Sequence, residues 1–280
     1  MKRHPLIHVF WFAINSLLIV SFAAALYGIG WEFSTRSFLK GFTDAIIPAS
    51  DNPELKAEAI LAWIANGPAR RGATNPADLS LRNPEDTLNF QQLLDVCGTA
   101  TNAFVNLAES AGLRTRRLLL LDENRSSKHV VAEVLIENRW IIVDPSYHTI
   151  FRKRDGLLVT QSDLRNLDTF REVTAVIPNY PQIYTYESTA HVRLRRIPII
   201  GRYLRGIFNA VWPSWEESIN WTLLVERDSF AMAAVSLVFF FLLLAVRFLF
   251  GWYCSQRLGI PRVRLRDRIV RVSQVLAGNL

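Results

Sequence analysis

The chain has little cysteine: two residues in 280, Cys97 and Cys254, which excludes a disulfide-stapled fold. It also lacks charge in two places. No Asp, Glu, Lys or Arg occurs from Pro5 to Trp31, nor from Ser229 to Val246, and each run approaches the roughly 20 apolar residues that span a bilayer. No internal repeat and no low-complexity tract interrupts the rest, and no metal-ligand cluster is visible, so neither a metal nor a cofactor is expected. The basic balance, net +7, comes without an aromatic-studded basic face or a recognition motif, which argues against nucleic acid.

The two uncharged runs predict two transmembrane helices and make the lipid bilayer the first partner. Leu17-Leu18-Ile19-Val20 and the stretch Leu237 to Leu244 are apolar on every face, unlike the single stripe of a soluble core helix. The start Met1-Lys2-Arg3-His4, with Ala23 and Ala25 downstream, also has the form of a signal peptide, but the length of the run favours an uncleaved anchor. Arg247 reads as a boundary residue reaching the interface beside Trp252 and Tyr253. Lys2 and Arg3 before the first run, and the arginines from Arg257 to Arg271 after the second, place both ends in the cytoplasm. The expected organisation is a stub and first span over 1–31, an extracytoplasmic domain over 32–190, a basic and aromatic juxtamembrane segment over 191–228, a second span over 229–253, and a basic tail over 254–280. For a bacterial cell this means the inner membrane, with the domain in the periplasm.

Cys97 and Cys254 then lie on opposite sides of the membrane and cannot pair. A lone thiol in an oxidising compartment is oxidised unless it is buried or used. Around Cys97 the pattern is informative. Asn52-Pro53 opens one helix as N-cap and first helical residue, and the dense Gly, Pro and Asn content of 67–84 reads as a loop. From Cys97 the small and apolar positions Ala100, Ala103, Phe104, Leu107, Ala108 and Ala111 recur at helical spacing until Gly112. Cys97 therefore stands in the first turn of a core helix, with Asp95 a candidate cap. A strand-like run at Leu118–Leu121 follows, then His129–Ile136 and Trp140–Asp144 joined by Glu137-Asn138-Arg139, an α+β order. The run Arg152-Lys153-Arg154-Asp155-Gly156 reads as a solvated turn.

A thiol becomes a nucleophile as thiolate, favoured by a helix N-terminus or an adjacent histidinium. His129, His148 and His191 are the candidates in this region. A two-residue loop at Glu137-Asn138 makes Asp144 the same-face diagonal neighbour of His129 at roughly 7 Å, able to orient the imidazole. A three-residue loop turns Asp144 to the other face unless a bulge restores it. Gln91 and Gln92, shortly before the thiol, are candidate oxyanion donors or plain helix-surface residues.

Taken together, Asp95-Val96-Cys97-Gly98 with Phe104, then Ala111-Gly112-Leu113-Arg114, then His129-Val130-Val131-Ala132-Glu133-Val134, then Trp140-Ile141-Ile142-Val143-Asp144-Pro145-Ser146 resemble the transglutaminase-like superfamily over about Leu88 to Leu164. The resemblance implies a papain-like α+β fold in which Cys97 is nucleophile, His129 base and Asp144 orienting acid. Gly98-Thr99 replaces the polar pair that follows the cysteine in many members, and no calcium loop is visible, so calcium dependence is not implied. Two functions compete: a thiol enzyme transferring or hydrolysing acyl groups on envelope peptide, protein or amino-sugar amides, and a catalytically silent member serving as a scaffold for an envelope or polysaccharide assembly.

Overall fold

The computed structural model describes residues 5–50, 52–68, 70, 79–192, 206, 208–213 and 221–258. Residues 193–205 of the expected juxtamembrane segment, residues 71–78 of the expected 67–84 loop, the start of the chain and the basic tail beyond residue 258 lie outside the described residues. Two compact units are defined, residues 1–28 with 232–280 and residues 29–231.

In the first unit, parts of two long helices run antiparallel: α1 (Pro5–Ile46) and α9 (Asp228–Arg257), the last helix in the chain. Both are long and apolar enough to cross a membrane. Phe10 packs on Phe250 at 4.3 Å and Phe22 on Phe240 at 5.6 Å between ring centroids. Gly28 lets the backbones close together, since a Cβ there would lie 2.7 Å from the Ala233 amide nitrogen. Arg247, expected at a membrane boundary, also has partners on the neighbouring helix: its Nε donates to Asn15 Oδ1 at 3.0 Å and its guanidinium lies over Trp11. Helix α1 also outlasts the uncharged run by fifteen residues, ending at Ile46.

The second unit is a helix-and-sheet domain. Helix α2 (Pro53–Asn66) begins as its sequence predicts, with the Asn52 side chain accepting from the Glu54 amide at 2.9 Å and Pro53 at the first position. Two short helices, α3 (Pro84–Asn89) and α4 (Gln91–Leu94), lead to α5 (Cys97–Ser110). Helix α5 stops where Gly112 adopts φ +81°, a conformation that costs glycine little.

An antiparallel sheet of five strands follows, in the order β4-β3-β2-β1-β5: β1 (Thr115–Leu121), β2 (Ser127–Ile136), β3 (Arg139–Asp144), β4 (Thr149–Ile150) and β5 (Thr189–Ala190). Strand alternation divides the core. Ala132, Val134, Ile141 and Val143 pack with α2 and α5 on one face, while Val131 and Ile142 pack on the other with Phe170 and Val173 of α7 (Leu167–Thr174) and with Leu164 of α6 (Gln161–Leu164). The 152–156 turn is less solvated than expected. Arg152 turns back to pair with Glu54 and Glu58 of α2, and Lys153 Nζ donates to Asp163 at 3.0 Å. Opposite charges supplied by distant helices, invisible to a local reading, hold that turn to the domain.

The chain returns to this unit just before α9. The short helix α8 (Thr222–Glu226) and Arg227 close against α5 and β1. Arg227 is only 3 % exposed; it donates to Glu32 Oε1 at 2.9 Å and to Asn106 Oδ1 of α5 at 2.7 Å. Ser229 Oγ donates to the other Glu32 oxygen at 2.8 Å, and Asn102 Nδ2 of α5 donates to the Glu226 carbonyl at 2.9 Å.

Candidate active site

The helix that carries Cys97 starts without a side-chain cap. Val96 is its N-cap, and Asp95, the expected cap, accepts instead from Gln91 Nε2 at 3.0 Å. Thr99 Oγ1 turns back to the Leu93 and Val96 carbonyls. No side chain caps the first turn, and the Gly98 amide acts on the Cys97 sulfur. Cys97 is partly buried, packed against Leu119, Leu121, Val130 and Ala190.

Glu137 and Asn138 both take positive φ, 47° and 63°, and Ile136 pairs with Arg139, so the β2–β3 loop has two residues in a primed turn. That register, continued past Ala132↔Val143, sets His129 and Asp144 on one face as diagonal neighbours. His129 Nε2 lies 2.7 Å from Asp144 Oδ2, with the two side chains 2 % and 0 % exposed. The second carboxylate oxygen accepts from the Ser146 amide at 3.1 Å, and Tyr180 Oη donates to Oδ2 at 3.1 Å.

With Nε2 engaged by Asp144, the ring turns Nδ1 toward the thiol. Nδ1 is buried and has no partner of full hydrogen-bond geometry among the described residues. The imidazole is nevertheless the largest influence on Cys97, lowering its pKa through hydrogen bonding against the opposing cost of burial; the Val130 and Gly98 amides lower it further. The thiol and imidazole thus act on each other without a hydrogen bond of full geometry between them, as such pairs often do before a substrate arrives. Burial acts on His129 most and disfavours its charge, but hydrogen bonds to Asp144 and Cys97 and attraction to both outweigh it and raise its pKa to about 9. These shifts favour a thiolate–imidazolium pair near neutral pH.

The other histidines stand elsewhere. His191 Nε2 bonds Glu133 at 2.9 Å beside the Arg116–Glu133 ion pair, and His148 sits exposed on the turn after β3. The two glutamines also separate. Gln91 is exposed and engaged, accepting from Arg70 Nη1 at 3.1 Å while donating to Asp95. Gln92 is half-buried, and its Nε2 is buried without a partner among the described residues.

Three tyrosines complete the surroundings, and none was singled out by sequence. Tyr184 stacks on the His129 ring at 4.2 Å and 2°, Tyr147 meets it edge-on at 6.0 Å, and Tyr180 lies 4.6 Å from Tyr147 and 5.9 Å from Tyr184. The signal was present as clustering: four of the seven tyrosines, Tyr147, Tyr180, Tyr184 and Tyr186, follow the His–Asp hairpin between residues 147 and 186.

A cysteine at the start of a helix, with a histidine and an aspartate joined on two adjacent antiparallel strands, stands in an α+β domain of helices packed on an antiparallel sheet. Residues 40–145 match the family model of the transglutaminase-like superfamily, and the chain carries a domain of that superfamily. No curated protein and no solved structure matches the chain. Among the described residues no cluster of three or more His, Cys, Asp or Glu side chains is arranged to hold a metal ion.

Proposed function

We propose that this chain is a membrane-anchored thiol enzyme that acts on amide bonds, with its domain on the extracytoplasmic side. One observation carries the reading: the buried 2.7 Å contact between His129 and Asp144, on the ring whose other nitrogen is turned to a thiol of lowered pKa. Nothing in core packing requires a buried carboxylate to orient a buried imidazole beside a cysteine, and such a grouping is costly unless each member is paired.

In the proposed cycle the Cys97 thiolate attacks the amide carbonyl carbon, forming a C–S bond and placing charge on the carbonyl oxygen. The Cys97 backbone N–H and Gln92 Nε2 are the proposed donors to that oxygen, Gln91 being engaged elsewhere. The C–N bond then breaks as imidazolium gives its proton to the leaving nitrogen. Neutral His129 next takes a proton from water or an incoming amine, which attacks the thioester; the C–S bond breaks, and thiolate and imidazolium are restored. Asp144 holds the ring in the tautomer that keeps Nδ1 free. Envelope peptides, proteins or amino-sugar amides are the proposed substrates, from the side of the membrane assigned by the basic flanks.

The test needs no substrate. In detergent-solubilised full-length protein, site-resolved alkylation by iodoacetamide at neutral pH should modify Cys97 faster than an ordinary thiol of pKa about 8.5, and His129→Ala should slow it. A Cys97 that reacts only after denaturation, in protein whose Cys254 is followed as a reference, would remove the enzyme reading and leave the scaffold function.

A further inference from the structure

Downstream of α7 the chain forms a strap over the sheet face that carries His129 and Asp144. It turns at Asn179, where φ is 56°, runs through Tyr180, Tyr184 and Tyr186, and ends in β5, which pairs with β1 at Leu119↔Ala190. The strap is tied down at several points. Lys128 Nζ donates to the Ile183 carbonyl at 3.1 Å, Gln182 Nε2 donates to Thr174 Oγ1 at 3.2 Å, and the Leu121 amide donates to the Ser188 carbonyl at 2.8 Å.

Two tyrosines of this strap touch the His–Asp pair in chemically opposite ways. Tyr184 lies flat on the imidazole, 2° from parallel, so its π-face fixes the ring plane and attracts the ring most when the ring is positive. Tyr180 donates to Asp144 Oδ2, the oxygen that also meets His129 Nε2, and so withdraws part of the negative charge available to the imidazolium. Neither contact reaches the thiol itself. Resting on the thiol-enzyme reading above, we infer that Tyr184 and Tyr180 are positioning residues that set the protonation window of the Cys97–His129 pair, Tyr184 widening it and Tyr180 limiting it.

The other ionisable groups facing the ring are Asp144, Cys97 and Tyr147. Tyr186 faces Asp144 from the buried side of the strap, and its own phenol is held neutral, since burial raises its pKa well above the ordinary value. Asp144 and Cys97 are the charged groups with the largest effect on His129, and the two strap tyrosines are the neutral groups in contact with the pair.

The experiment is the pH profile of Cys97 alkylation by iodoacetamide in the full chain in detergent, with melting temperature recorded for each variant. A coupled thiol and imidazole give two macroscopic steps, one for formation of the ion pair and one for loss of the imidazolium proton. Tyr184→Leu should raise the lower step and lower the upper step, each by about half to one pH unit, while Tyr184→Phe, which keeps the stack, should restore both. Tyr180→Phe should move the upper step the other way, upward, because Asp144 loses a competing donor. Opposite signs cannot come from general loosening of the strap. If Tyr184→Leu does not fold, Tyr180→Phe decides alone: an unmoved or lowered upper step overturns the proposal. A two-step wild-type profile that Tyr184→Leu leaves in place overturns it while sparing the enzyme reading. A single ordinary thiol step in the wild type, unaffected by His129→Ala, overturns both.

Discussion

His129 Nε2 and Asp144 Oδ2 are 2.7 Å apart at a place where neither side chain meets solvent, and this contact is a main cause of the upward shift of the histidine to about 9. Removing the charge should reverse much of that shift. With Asp144→Asn, the upper step of the Cys97 alkylation profile should fall from about 9 toward the ordinary histidine value of about 6.5. The carboxamide can also present an N–H to Nε2, which transfers the ring proton to Nδ1 and leaves no acceptor facing the thiol. The variant should still alkylate at neutral pH faster than His129→Ala, because an imidazole remains beside the sulfur. An upper step unchanged from wild type would show that Asp144 does not act on the histidine.

The shift also has a sign for stability. A histidine whose folded pKa lies above its unfolded value stabilises the fold fully below about pH 6.5 and loses that contribution as pH rises through about 9. The melting-temperature difference between wild type and His129→Phe should therefore favour wild type most at pH 6 and shrink by pH 10. A difference that grows with pH would mean that the imidazole is neutral in the folded protein.

The glutamines give a sharper comparison. Gln92→Ala removes a buried amide that has no partner, whereas Gln91→Ala removes an exposed one held by Arg70 and Asp95. If Gln92 serves the oxyanion, its loss should reduce acyl-thioester formation by about 10²–10³-fold with little effect on iodoacetamide alkylation, which passes through no tetrahedral oxyanion. Gln91→Ala should leave both rates near wild type. Equal turnover of the two variants, followed by mass spectrometry of the Cys97 thioester on an activated ester, would remove Gln92 from that role.

Much of this geometry was legible because it is local. Small residues at helical spacing placed Cys97 at the start of α5, whereas of the two loop lengths open at Glu137-Asn138 only the structure selects the two-residue one, which sets Asp144 on the face of His129. Asp95 failed as a cap because a glutamine four residues earlier captured its carboxylate, and Arg152 escaped the expected solvated turn because α2 offers two glutamates. For Arg152 the partners arrive from a distant element, which local propensity cannot see. For the same reason the tyrosine strap, more than thirty residues beyond the hairpin, carried no spacing that tied it to His129.

Distance in sequence likewise hid the ion pair between Glu32 and Arg227, which meet at the back of the helix that carries Cys97. Arg227→Met should leave Glu32, 7 % exposed, with only Ser229 and the solvent-facing Arg36 as partners, and leave Asn106 Oδ1 without its donor. Breaking one side of a buried pair costs about 3–5 kcal/mol, or a melting-temperature loss on the order of 10 °C for a domain of this size. Glu32→Gln combined with Arg227→Met should recover part of the loss, because no uncompensated charge remains. Single and double variants that melt alike, measured in the same detergent, would contradict the pairing.

The last prediction concerns the side of the membrane, on which the redox reasoning about Cys97 depends. Helices α1 and α9 run antiparallel with Phe10 beside Phe250 and Phe22 beside Phe240, so a pair that spans the bilayer must bring the start of one and the end of the other to the same face. Lys2 and Arg3 at one end, and the arginines from Arg257 to Arg271 at the other, predict that this face is the cytoplasmic one. Alkaline phosphatase fused after Ser50 should then be active and a fluorescent protein fused after Gly278 should be bright, each reporter working only on its own side. Cys97 would lie in an oxidising compartment, where a thiol of lowered pKa persists only if its surroundings restrict oxidants, and its half-burial among Leu119, Leu121, Val130 and Ala190 provides such restriction. An inactive phosphatase at Ser50 together with a bright reporter at the same position would invert the topology, place the thiol in a reducing compartment, and withdraw envelope amides as the substrate class.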